Sequence, residues 1–323
     1  MKKYILRRFL QMIPILLGIS LLIFFLFAMM PGDYFSSNRK LSPQRLEELR
    51  TLYGLNKPVI VRYFIWLKNV FHGDFGFSLQ YMQPVTTLIN QYIWNSFIVA
   101  LATLFLTWTL ALIIGIYSAT KQYSVFDRLV TLGVFASLSV PSFFIGLLLI
   151  KIFGVDLHVL PIGGMIDTGS TTAGLAHVLE VLRHMILPIA VLTFLSVGSL
   201  TRYFRTGMLE VLRMDFIRTA RAKGLKERTV IFRHALRNAI LPAITLLAFE
   251  LPGLFSGAII TEQIFSWPGI GRIQLEALSA RDYPVLMTLT MFLSFLTIVG
   301  NFLADVLYAA ADPRIRLTKK EGS

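Results

Sequence analysis

Residues 96–118 read Ser-Phe-Ile-Val-Ala-Leu-Ala-Thr-Leu-Phe-Leu-Thr-Trp-Thr-Leu-Ala-Leu-Ile-Ile-Gly-Ile-Tyr-Ser, without one charged side chain. A hydrocarbon layer about 30 Å thick is crossed by roughly 20 apolar residues in a helix, because lipid offers nothing to pair an open backbone group. The stretch therefore predicts a transmembrane helix. Working outward, residues 9–30 and 129–150 are equally uncharged, and 184–200 is a shorter run holding only His184. Residues 241–260 carry Glu250 near the middle, and 284–304 end against Asp305. These readings give six spans. The first is longer than the roughly 7–15-residue core of a secretory signal and runs into Met29-Met30-Pro31, so it reads as retained.

Composition agrees: 55% of the 323 residues are hydrophobic, 15% are charged, and mean hydropathy is +0.67. Soluble domains hold about 25% charged residues. The absence of cysteine excludes disulfide frameworks, thiolate metal sites and a cysteine nucleophile. A net charge of +13 could suggest nucleic acid, but in a membrane chain Lys and Arg first report topology. Residues 1–8, 119–128, 202–237 and 312–323 hold 20 of the 31 basic residues, so both termini are expected in the cytoplasm and no nucleic-acid partner is implied. Trp94 and Trp267 fall at the expected outer boundary, where interfacial aromatics belong.

The long loop after the first span predicts two short helices. Ser42-Pro43 is a cap followed by proline at the first helical position, with Gly54 as the stop. Pro58 opens the second, and Gly73-Asp74-Phe75-Gly76 ends it. The loop reads either as a cap over the bundle or as a docking surface for an external partner. Between the fourth and fifth spans, residues 202–237 carry ten bases while Leu209, Leu212, Phe216 and Ile217 recur at helical spacing. Gly224 interrupts the pattern, predicting a helix, a tight turn at Gly224-Leu225 and a second helix. That bracket reads as a protruding helical element or as a basic helix touching anionic lipid.

Its residues carry a resemblance. Asp215-Phe-Ile-Arg-Thr-Ala-Arg-Ala-Lys-Gly-Leu, followed by His234-Ala-Leu-Arg-Asn238, resembles the cytoplasmic signature of ABC importer permeases, in the form of the di- and oligopeptide branch. With Gly224 on the invariant glycine of the pattern, Ala220 and Leu236 also match, and the departures are those of the peptide branch. Pro31-Gly32-Asp33, Leu55-Asn56-Lys57-Pro58, Gly73 to Ser78, Phe265-Ser-Trp-Pro-Gly-Ile-Gly271 and Asp312-Pro313-Arg314 are similar to the B-type permease of that branch, in order along the whole chain. The resemblance implies an all-α integral membrane fold of the type I importer kind, with six transmembrane helices and a cytoplasmic coupling helix. Residues 1–94 would be the first span and outer loop, and 95–323 a five-span core with its coupling segment at 202–240. It implies a second homologous permease in a heterodimer, two ATPase subunits at the cytoplasmic face that bind ATP and Mg, and an extracytoplasmic peptide-binding protein. The setting would be a prokaryotic cell membrane. Contact with the ATPase would fall on Arg213, Asp215, Arg218, Arg221 and Lys223 as polar groups, on Phe216, Ile217 and Ala220 as apolar ones, and on Gly224 as the turn.

No catalytic, cofactor or metal site of the chain's own is expected. ATP hydrolysis would need a glycine-rich loop ending in Gly-Lys-Ser/Thr, which does not occur, and Gly269-Ile-Gly271 reads as a bend. The five histidines show no His-Glu-x-x-His spacing and lie in different segments. Glu250 is the exception to a bland reading, because a carboxylate at mid-membrane is costly and marks a pathway or a structural bond between spans. Beside it, Pro252 and Gly253 loosen the helix. Two readings of another class compete: a proton-coupled carrier with Glu250 as relay, and an intramembrane hydrolase, which lacks a nucleophile–base pair. Interruptions fall mainly in one span, whereas inverted-repeat carriers interrupt both halves.

Overall fold

A backbone with no water to bond must pair along its own helix, and the chain is accordingly helical through most of its length. The computed structural model describes residues 2–32, 34–35, 42–52, 54–240, 243, 246–247, 250, 252–256 and 258–311. Among the described residues, four helices are long and apolar enough to cross a membrane: within α1 (Lys2–Met29) residues Ile5–Met29, then α4 (Val85–Thr120), α7 (Leu175–Leu212), and Tyr283–Leu303 within the last helix. A bent pair, α5 (Val125–Ser139) and α6 (Ser142–Leu149) with its π-helical continuation Ile150–Asp156, raises the number to five if it is one span.

Three expected spans are corrected. The run 129–150 is not one straight helix but turns by 104° between Ser139 and Ser142. Pro141 has no N–H to continue the ladder and drives Val140 to φ −94°, ψ 127°, so the helix must stop. The run 184–200 belongs to a helix of 38 residues, about 57 Å at 1.5 Å per residue, that carries Arg202 and Arg205 in its body. The span expected at 96–118 begins at Val85, where a two-stranded ladder, β1 (Phe77–Ser78) with β2 (Gln83–Pro84), ends. The fifth expected span, 241–260, falls largely outside the described residues.

The chain divides into two units. One comprises Met1–Ser96, Leu251–Ile259 and Pro268–Val306. Its loop helices, α2 (Pro43–Leu52) and α3 (Val59–Phe71), start and stop where capping chemistry predicts: Ser42 Oγ accepts the Arg45 N–H at 3.3 Å, and Gly54 and Gly73 take φ of +67° and +80°. α3 is held by aromatic contact, Tyr63 and Trp66 lying 5.5 and 5.6 Å from the Phe24 ring, and by a hydroxyl bond between Ser20 and Tyr63 at 2.9 Å. Buried Asp282 accepts from Ser78 Oγ at 2.6 Å and Gln80 N–H at 3.0 Å, pinning the β-ladder to the chain just before Tyr283. Around it Val85, Leu88, Val285, Leu286 and Leu289 form the core. Tyr81 donates to Glu276, and burial with that carboxylate pushes the phenol up. Arg8 and Asp305 pair at 3.2 Å.

The other unit comprises Phe97–Glu250, Ile260–Trp267 and Leu307–Ser323. Here Trp267, expected at an interface, is 1% exposed and packs with Val99, Val181 and Met185, while Trp94 is exposed. α4 and α7 approach closely at Gly115: a methyl there would lie 2.8 Å from Phe204 Cβ and 3.0 Å from the Thr201 carbonyl. Small residues at such contacts let helices pack without help from water. Gly115→Val is expected to destabilise the chain by about 1–3 kcal/mol through overpacking. Gly133→Ala, with nothing within 4 Å, should gain about 0.5–1 kcal/mol from helix propensity. Thermal midpoints of the two variants in one detergent test the contrast.

Candidate functional site

The basic segment is built from three pieces rather than the two expected. α7 runs on to Leu212, the chain turns at Arg213 and extended Met214 (φ −71°, ψ 150°), and a short helix α8 (Asp215–Ala222) follows. The break lies where Asp215 enters: aspartate is poor in a helix interior but favourable in a first turn, facing the positive end of the peptide dipoles. Beyond the turn, α9 (Glu227–Thr229), a π-helical stretch Val230–Ala235 and α10 (Leu236–Ala239) complete the bracket.

The turn itself is closed by two sets of bonds. Gly224 takes φ +73°, its N–H donates to the Arg221 carbonyl at 2.9 Å, and the Leu225 N–H donates to the Ala220 carbonyl at 3.3 Å. This is the paired pattern of a Schellman cap, which needs a left-handed residue at that point. Across it, Arg221 grips Glu227 with both arms, Nη2 to Oε1 at 2.7 Å and Nε to Oε2 at 3.2 Å. The guanidinium holds the Glu227 carboxyl below its ordinary range, and the carboxylate raises Arg221 in turn.

One face of α8 is anchored and the other presented. Ile217 and Ala220, three residues apart and thus on one side of a helix, are buried with Ile116, Ala119, Met208, Val211 and Val230. Buried there, they hold α8 to its own unit. Phe216, 42% exposed, remains as the outward apolar group of the three, with Met214 and Leu225 exposed beside it. Arg213, Asp215, Arg218 and Lys223 are exposed, Arg218 and Asp215 lying 3.4 Å apart. A crevice of about 690 Å³ opens behind the turn, lined by Lys121, Tyr123, Leu209, Arg213, Arg221 and Glu227 among others.

Beneath this bracket sits a group that the sequence did not point to. Asp127, its side chain 4% exposed, accepts from Arg205 Nε at 2.7 Å, Arg205 Nη2 at 2.8 Å, the Tyr123 N–H at 2.9 Å and the Ser118 hydroxyl. A carboxylate offers about four lone-pair positions, and all are used. The local signal was present in Ser124, whose hydroxyl caps α5 by accepting the Asp127 N–H at 3.2 Å. Its partner arginine, 78 residues on, was not readable from spacing.

Comparison with known proteins now decides the family. Residues 111–317 match the model for binding-protein-dependent transport system inner membrane components, and residues 1–107 match the N-terminal model of the same systems. The chain belongs to that family. It is 42% identical to the oligopeptide transport system permease protein AppB of Bacillus subtilis, over 98% of this chain and 99% of that one. It is 37% identical to the di/tripeptide transport system permease protein DppB of Pseudomonas aeruginosa, over 98% and 99%. A putative peptide permease protein of Brucella suis is 36% identical over 98% and 100%. The permease is therefore a multi-pass membrane component of a binding-protein-dependent ABC transporter, and none of these relatives lends support to a proton-coupled carrier.

In this permease, Glu250 is exposed, while several of its neighbours fall outside the described residues. The structure also brings Asp167, Glu180 and His184 together, a cluster that a search for histidine pairs within one element does not find. Because Glu227 is held below its ordinary range, its bond to Arg221 adds stability that is complete above that range and is lost progressively as pH falls from it through the lowered value. Amide exchange at Gly224 and Leu225, beyond intrinsic pH effects, should accordingly be most protected above the usual carboxylate range and rise as pH falls through and below it. Glu227→Gln should show the raised exchange already at neutral pH and meet the wild type at the acid end. Asp127→Ala leaves Arg205 without its buried partner and should lower stability by about 3–5 kcal/mol, read by thermal unfolding.

Proposed function

We propose that this chain is one transmembrane subunit of an ABC importer carrying di- or oligopeptides into the cytoplasm, with α8 as the coupling helix. The observation that carries this reading is a rigid knob: a helix anchored by Ile217 and Ala220, closed by the Gly224 cap, and presenting charged residues and Phe216. A ligand-driven switch needs differential contact with two states of its partner, and a knob held by core and cap transmits displacement where a loose loop would absorb it. The peptide substrate is supported by the similarity to AppB and DppB, named as oligopeptide and di/tripeptide transport system permeases.

In this reading the chain is not itself an enzyme. Two ATPase subunits bind ATP and Mg at the cytoplasmic face and meet Arg213, Asp215, Phe216, Arg218, Arg221, Lys223 and the Gly224 turn, with Ile217 and Ala220 acting from behind. A second homologous permease completes the passage as a heterodimer, and an extracytoplasmic peptide-binding protein delivers substrate. Six spans place both termini in the cytoplasm, supported by the 20 basic residues on that side. Residues 1–94 form the first span and outer loop, and 95–323 the core. Glu250 lies on the translocation pathway, supported by the cost of a mid-membrane carboxylate.

Gly224→Pro forces φ near −65° where +73° is needed and removes a bonded N–H. In the complete complex, reconstituted in proteoliposomes, it should cut peptide uptake per ATP hydrolysed by about tenfold, the order of a 1–3 kcal/mol coupling. Arg221→Glu should do the same, and the charge swap Arg221→Glu with Glu227→Arg should restore much of the loss. Normal uptake per ATP in Gly224→Pro would refute the coupling assignment. Glu250→Gln should change uptake with the complex intact on size exclusion, and loss of assembly would make Glu250 a structural bond instead.

A further inference from the structure

The second and third turns of α7 place Glu180 and His184 four residues apart, on one side of the helix. The preceding loop returns to that face and sets Asp167 against them, so that one ligand atom from each residue lies within 4.8 Å of the others. The loop is held there by backbone: the Gly164 N–H donates to the Phe265 carbonyl at 2.8 Å, and the Asp167 N–H donates to Glu180 Oε1 at 2.8 Å.

His184 decides what the cluster lacks. Its side chain is 2% exposed, and Nδ1 faces the carbonyls of Gly163 and Gly164 at 3.1 and 3.2 Å. Carbonyls only accept, so Nδ1 carries the proton. In neutral imidazole the other nitrogen is then a bare lone pair. That nitrogen, Nε2, lies 3.4 Å from Asp167 Oδ1, itself an acceptor. A buried imidazole lone pair facing a carboxylate oxygen calls for a cation between them, and the exposed Asp167 leaves that cation a way in from water. Orientation of a histidine by a carbonyl on its far nitrogen is the arrangement that surrounds metal ligands in proteins.

Glu180 is prepared in the same way. Its Oε2 accepts from Ser170 Oγ at 2.7 Å and from the Thr172 hydroxyl, which turns the carboxylate and leaves Oε1 with one N–H and a further lone pair. Bonds of about 2.0–2.2 Å in a tetrahedron set ligand atoms roughly 3.3–3.6 Å apart, and the Nε2 to Oδ1 separation is 3.4 Å. One nitrogen and two carboxylate oxygens with a position left for water suit zinc rather than the all-oxygen shells of calcium or magnesium.

We infer that Asp167, Glu180 and His184 bind one zinc-type divalent ion, which fastens the loop before α7 to the start of that helix. The full-length chain without a polyhistidine tag, in lipid nanodiscs and stripped with a chelator, is titrated with Zn²⁺ against a chromogenic zinc indicator at neutral pH. One zinc per chain should bind, and zinc should raise the thermal midpoint. Asp167→Asn, at an exposed position, and Glu180→Gln should each weaken binding about tenfold or more and remove the thermal response. Because His184→Gln alters a buried side chain, Asp167→Asn is the deciding variant. Zinc binding that is absent in the wild type, or unchanged in Asp167→Asn, overturns the site. So does a midpoint that rises on acidification and ignores zinc, since a proton would then be the bridging cation.

Discussion

Lipid has nothing to offer a backbone N–H or C=O, and every other feature of this permease is arranged around that constraint. It makes helices of the apolar runs in α1, α4 and α7 and permits a break where a proline enforces one, as at Pro141. With lipid tails as apolar as leucine, burial of methyl groups does little to bring helices together inside the bilayer. Close packing and polar bonds must serve instead. Gly115 supplies the first, since its missing side chain lets α4 touch the Phe204 region of α7.

The polar bonds are concentrated at a few buried carboxylates. Asp127 spends every lone pair, two of them on Arg205, and thereby joins the Tyr123 turn, the start of α5 and the last turns of α7. The α8 bracket stands on this joint, and both its core residues and its Schellman cap make it stiff. In the proposed coupling role, stiffness has a function to serve. A helix that must pass a partner's closure to membrane spans works only if its own base moves less than the displacement it receives. Asp282 plays the corresponding part in the other unit, where Ser78 and Gln80 donate to it.

Asp167, Glu180 and His184 contrast with these joints. Asp127 and Asp282 meet donors from the chain itself, whereas His184 meets carbonyls on one nitrogen and a carboxylate near the other. A carboxylate saturated as Asp127 is needs nothing further, and opposed acceptors do.

The sequence by itself determined the membrane class, the approximate location of the first, second, fourth and last long helices, the caps at Ser42, Gly54, Gly73 and Gly224, and the basic bracket with its family signature. These are local matters: hydropathy over twenty residues, the freedom of one glycine, a serine three residues before an N–H. Tertiary structure decided the rest. The 104° turn at Pro141 turned an apparent span into a bent pair, because apolar character says nothing of direction. The burial of Ile217 and Ala220 against α4 and α7 was settled by packing, since an amphipathic pattern shows that a face is apolar and not what will cover it. Trp267 went inside for the same reason. Arg205 reached Asp127, and Asp167 reached His184, across separations that no periodicity encodes. Only the packing of α5 on α7, and the return of a loop onto the first turns of α7, brought those charges within bonding distance.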